Sequence, residues 1–159
     1  MHRSILAAAF LVAGPLASYA AEGEVSVERG AYVARTHGCH DCHTGNYNET
    51  GGQIDPALAL KGTAIGWRGP WGTTYPMNLR ITAATRSEAE FVQYMKEFKA
   101  RPPMPYYNVN ATEESDLRSL YAYIKSLGEP GDQMPEAVPP DQEPTTPYYP
   151  LVPPAMPKG

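Results

Sequence analysis

Cys39-His40-Asp41-Cys42-His43 is the stretch on which the reading of this chain turns. C-x-x-C-H is the attachment signature of c-type haem, and its spacing has a mechanical reason. Two cysteines three apart lie on one side of a helical turn, where both sulfurs reach the two vinyl groups on one porphyrin edge. His43 follows directly, so its imidazole can swing under the ring and bind iron as the proximal ligand. Cys39 and Cys42 are the only cysteines in the 159 residues, so the run accounts for all the thiol chemistry.

Two other uses of such a run fit less well. A thioredoxin-like redox pair needs a βαβ context and gives the adjacent histidine no role. A structural zinc site needs four ligands, and beyond the N-terminal segment the only other histidines are His37 and His40. His40 reads as a surface spacer. His37 reads as solvated, with a hydrogen bond to a haem propionate as the alternative.

Outward to the N-terminus, Met1-His2-Arg3, the apolar run from Ile5 to Leu16 and Ser18-Tyr19-Ala20 have the three parts of a secretory signal peptide, residues 1–20. Its apolar run is short for a bilayer span, and no later segment has one, so the expectation is a soluble periplasmic protein with no membrane span after cleavage. Covalent haem attachment fits export to an oxidising compartment. The chain has thirteen basic and seventeen acidic side chains, and loss of Arg3 with the leader moves the net charge from −4 to −5. That balance points away from nucleic acid and anionic membranes as partners, and it suits a partner with a basic docking patch.

Ser26 to Arg35 reads as a helix leading into the motif, capped by Ser26, with Val27, Gly30/Ala31 and Ala34 at helical spacing. Gly30 costs about 1 kcal/mol relative to Ala inside a helix, a cost that close approach of another helix would offset. Thr112 is placed to cap a second helix opening with Glu113 and Glu114, carrying Leu117, Leu120, Tyr121, Ile124 and Leu127 on one face and stopping at Gly128. Ser87-Glu88-Ala89-Glu90 is a capping box for a helix to about Phe98, with Phe91, Met95 and Phe98 inward. No stretch carries a strand signal of weight.

The elements Arg29-Gly30-Ala31-Tyr32, Gly38 to His43, Met104-Pro105-Tyr106-Tyr107-Asn108 and Asp116 to Leu127 resemble class I c-type cytochromes, over roughly residues 25–128. The resemblance is greatest to the small bacterial periplasmic cytochromes, and cytochrome domains, that serve dehydrogenases. It implies an all-α fold, a small helical domain (residues 21–128) wrapped around one covalent haem c. It also implies that the first and last helices cross, with Gly30 and Tyr32 meeting Leu120 and Tyr123, and that a methionine is the distal iron ligand. Met104, in Arg101-Pro102-Pro103-Met104-Pro105, stands where the family places that ligand, and flanking prolines stiffen its loop. Met77, in Tyr75-Pro76-Met77-Asn78-Leu79, is the rival. Asp55-Pro56-Ala57-Leu58 loosely resembles the segment whose proline carbonyl accepts the proximal histidine N–H; an ordinary turn proline is the other reading.

Gly66-Trp67-Arg68-Gly69-Pro70-Trp71-Gly72 could form an aromatic wall against the porphyrin with Arg68 on a propionate, or a loop whose aromatics fill core. Residues 129–159 hold ten of the seventeen prolines, an extended polyproline-like tail, either loose or laid along the domain, and expected to serve a partner rather than the haem fold. The function these readings lead to is one-electron transfer, from a periplasmic dehydrogenase to a cytochrome or oxidase, with no catalytic residues of its own. The alternatives are a haem enzyme or gas sensor with an open or labile distal site, and a subunit stably bound to its enzyme.

Overall fold

The computed structural model describes residues 23–152; the signal-peptide reading lies outside them. In chain order the elements are α1 (Val27–Thr36), α2 (Cys39–His43), β1 (Gly66–Gly69), β2 (Gly72–Thr74), α3 (Leu79–Ala84), α4 (Glu88–Glu97), α5 (Tyr106–Asn110), α6 (Glu114–Ser126) and β3 (Tyr148–Pro150). The chain is helix-rich, as the sequence implied, but all-α needs correction. A three-stranded sheet runs in the order β2-β1-β3, antiparallel between β1 and β2 and parallel between β1 and β3.

Each helix begins where local chemistry allows. Ser26 Oγ accepts from Arg29 N at 3.0 Å to open α1, and Ser87 and Glu90 form the reciprocal capping box of α4. Asn78 Oδ1 accepts from Arg80 N and Ile81 N to open α3. Thr112 does not cap α6: its hydroxyl donates to the Asn108 carbonyl, and Glu113 stands at the cap with no side-chain bond. Two acidic residues in the first turn, Glu114 and Asp116, suit the positive end of the α6 dipole instead.

The core is the seam between α1 and α6, closed by α3 and α4. Val33, Ala34, Phe91, Leu117, Leu120 and Ile124 are all buried there, each large aliphatic contributing about 1.5–3 kcal/mol by leaving water. α1 turns Gly30, Val33 and Ala34 inward, while Val27 stays exposed. Gly30 sits against the α6 backbone: a Cβ there would collide with the Ser119 carbonyl oxygen and lie 2.7 Å from Tyr123 Cβ. Tyr32 does not join that crossing. It points outward, 55% exposed, under the Arg29 guanidinium. Arg29 also grips Asp116 through two bonds, 2.7 and 2.8 Å, locking α1 to α6 at the rim.

The residues after α6 are extended and lie along the domain. Val138 exchanges both backbone bonds with Thr73, at 2.9 and 2.8 Å, and β3 pairs with β1. Gly72 has φ +98° where the tail crosses, and a Cβ there would collide with the Val138 carbonyl. Arg68 does not stand free for a propionate: it donates to the Gln142 carbonyl at 2.8 Å and pairs with Glu143 at 3.0 Å. Trp67 packs on Tyr149.

Candidate haem centre

α2 is a single turn, and Gly38 makes it possible. Its φ of +68° lets the chain leave α1 sharply and re-enter a helix at Cys39, a conformation other residues resist. Both thiols are free and half-buried. Burial pushes the Cys39 thiol up to about 12, with the nearby charges of Asp41 and Cys42 adding to the effect; burial and Asp41 raise Cys42 as well.

His43 is buried, and its Nδ1 lies 2.7 Å from the Met77 carbonyl oxygen. A carbonyl only accepts, so Nδ1 carries the proton and Nε2 keeps its lone pair. Burial lowers the His43 pKa, partly opposed by this hydrogen bond, so the ring is neutral. A neutral imidazole with its tautomer fixed from behind is what an iron ligand requires. Pro56 was the sequence candidate for this acceptor, and the structure corrects it: the Pro56 carbonyl accepts from Arg80 Nη2 at 2.5 Å instead. Met77 was weighed only for its sulfur, yet its backbone is what meets His43. The available signal was Asn78, a residue suited to cap a helix, which puts the Met77 carbonyl just outside α3.

His40 is the second correction. It is fully buried, not a surface spacer. Its Nδ1 lies 2.8 Å from Thr44 Oγ1, which itself accepts from Leu60 N at 2.9 Å. On the other side of the ring, Nε2 lies 3.4 Å from the Tyr123 hydroxyl, so both ring nitrogens have a hydroxyl partner. Burial drives the His40 pKa down to about 4, helped by the nearby charge of Arg35. The sequence signal for this cluster was Thr44, one helical turn beyond His40. His37, by contrast, is exposed, with Thr36 Oγ1 beside it at 3.5 Å.

The two methionines lie on different loops. Met104 is half-buried between α4 and α5, in a loop held by the Thr74 hydroxyl, which donates to the Pro102 carbonyl at 2.8 Å. Met77 is 43% exposed, and its sulfur lies 3.9 Å from Thr82 Oγ1. Met95 is buried in the core.

One buried donor tests the fit of a haem. Trp71 Nε1 is shielded from solvent and has no acceptor among the described residues. A buried N–H without a partner is costly, and an anionic acceptor such as a propionate would relieve it. The residues present fit the group: two thiols, a neutral imidazole with a free Nε2, and an N–H awaiting an acceptor.

Comparison with known proteins agrees, since the cytochrome c family profile matches residues 27–128. The chain belongs to the cytochrome c family. Two curated relatives are 31% identical to this cytochrome over 143 residues, both named cytochrome c subunit of alcohol dehydrogenase (quinone), from Gluconacetobacter polyoxogenes and Komagataeibacter europaeus. The alignment covers 80% of this chain but only 28% of either relative. No solved structure matches significantly. The family implies covalently bound haem c, and the cytochrome is of class I, as the sequence resemblance indicated.

Proposed function

We propose that this cytochrome carries one electron at a time through a single haem c, joined to Cys39 and Cys42 and ligated by His43 and Met104. The observation that carries the reading is the His43–Met77 bond, which leaves Nε2 as the free ligand atom one residue from a half-buried free thiol. The same bond favours Met104 over Met77. Met77 supports His43 from behind through its carbonyl, on the side away from the iron. Met104 stands on a separate stiff loop. Haem supplies reversible one-electron chemistry when bound, and a methionine opposite histidine favours the ferrous state. The chain's part would be to fix the His43 tautomer through the Met77 carbonyl, to keep that imidazole buried, and to offer His43 and Met104 as the ligands that leave no site for a substrate.

The donor in this proposal is a periplasmic dehydrogenase and the acceptor a cytochrome or oxidase. The relatives support the first half, being subunits of a quinone alcohol dehydrogenase by name. Among the described residues no helix is long and apolar enough to cross a membrane, and the signal-peptide pattern of residues 1–20 supports export. A haem enzyme or sensor would bind carbon monoxide readily at an open site. The ferrous spectrum with and without carbon monoxide is the test: an unchanged spectrum supports the carrier, and rapid conversion to an adduct refutes it.

A further inference from the structure

The tail was expected to serve a partner and leave the haem fold untouched, but its contacts converge on the β1–β2 hairpin, to which the loop that carries Met104 is bonded. Three anchors fasten it. Asn78 Nδ2 donates to the Pro130 and Asp132 carbonyls at 2.7 and 3.0 Å. Val138 exchanges two backbone bonds with Thr73. Further on, Gly66 N donates to the Pro147 carbonyl at 2.9 Å and Leu151 N to the Arg68 carbonyl at 2.6 Å. Arg68 ties these together, donating to Thr73 Oγ1 at 3.1 Å and to the Gln142 carbonyl. β1 and β2 are thus flanked by the tail at both edges, β3 beside β1 and Val138 beside β2. The link to the Met104 loop is Thr74, the residue after Thr73, whose hydroxyl holds the Pro102 carbonyl. The backbone bonds nearest Met104 are local, from Met104 N to the Arg101 carbonyl and from Tyr106 N to the Met104 carbonyl. Local bonds shape a loop without placing it.

We propose that residues 129–152 form a strap that positions Met104 for the iron, acting through Thr73, Thr74 and Pro102. This rests on Met104 being the distal ligand. A two-stranded hairpin of three or four residues per strand is marginal alone. The strap adds a third strand and clamps the hairpin, and its prolines make it stiff and inexpensive to order. With the hairpin rigid, Thr74 is a fixed post from which the loop hangs. Without it, the loop samples positions in which the sulfur is off the iron, and exogenous ligands gain access in proportion.

The test uses the haem-loaded protein in four forms besides the wild type: Thr74→Val, Thr74→Ser, a truncation after Gly128, and Met104→Ala. Carbon monoxide affinity of the ferrous form, the near-infrared thioether–iron band of the ferric form and the midpoint potential are measured on each. Thr74→Val and the truncation are expected to raise carbon monoxide affinity about tenfold, the population shift that loss of one hydrogen bond allows, and to lower the potential. Thr74→Ser keeps the hydroxyl and behaves as wild type. Affinities within about twofold of wild type for both Thr74→Val and the truncation, with Met104→Ala losing the band, overturn the strap and leave the ligand assignment standing. Retention of the band in Met104→Ala overturns the ligand assignment and the strap with it. If the truncated chain fails to keep haem, Thr74→Val decides by the same criterion.

Discussion

Gly30→Ala isolates the crossing of α1 and α6 at the centre of the core. A Cβ at that position collides with the Ser119 carbonyl oxygen, lies 2.5 Å from the Ser119 carbonyl carbon and 2.7 Å from Tyr123 Cβ. Two of these atoms are α6 backbone, so no rotamer change relieves the overlap and α6 itself must retreat. Overpacking of this kind costs about 1–3 kcal/mol, and backbone involvement places it at the upper end. Alanine's helix propensity returns about 1 kcal/mol. The net is a loss of about 1–2 kcal/mol, or about 3–8 °C in Tm for a domain of this size. Because Tyr123 moves with α6, its hydroxyl also leaves His40, now 3.4 Å away. Gly45→Ala is the control, since a Cβ there meets only Leu58 Cδ1 at 3.7 Å, an ordinary contact. Thermal unfolding of the three holoproteins, followed by circular dichroism, is the assay. A Gly30→Ala protein as stable as wild type would refute the crossing.

Other perturbations follow from the same contacts. Arg80, 4% exposed, donates to the carbonyls of Ala59, Pro56, Leu127 and Glu129; Arg80→Met leaves these without their donor and is expected to cost about 2–4 kcal/mol in denaturant unfolding, with Arg80→Lys a poor rescue because one ammonium cannot span the fork. Thr44→Val removes the partner of both Leu60 N and His40 Nδ1 and should cost about 1–3 kcal/mol, while Thr44→Ser stays near wild type. The Arg29 hydrogen bond holds the Asp116 carboxyl below its ordinary 3.8, so its contribution is present above that pH and lost as pH falls through the lower folded value. Asp116→Asn is therefore expected to be less stable than wild type by about 0.5–1 kcal/mol at pH 7, the gap closing below about pH 4; a gap that widens in acid would refute the pairing.

Helices and motif were legible because their signals are local. The C-x-x-C-H run, the Ser87–Glu90 box and the apolar face of α6 each sit within a few residues, and Gly30 announced a close approach by its cost. The misses share the opposite property. β1 pairs with β3 from more than eighty residues away, in strands of three or four residues broken by glycine and proline, so no periodicity could reveal it. A propionate stands as one of two readings for Arg68 because its actual partners, Glu143 and the tail carbonyls, are equally remote in sequence. His40 looked like a spacer because burial of a polar residue depends on partners the motif does not contain, here Leu60 and Tyr123. Met77 shows a subtler limit: its side chain drew attention, while the role lies in its carbonyl.

The most direct test of the account is where the haem goes when the haem-loaded protein is extracted with acidified organic solvent. Intact-mass measurement of the extracted polypeptide should show one haem retained per chain, and proteolysis should place it on the peptide bearing Cys39 and Cys42. Haem in the organic phase with a polypeptide of unmodified mass would contradict the account.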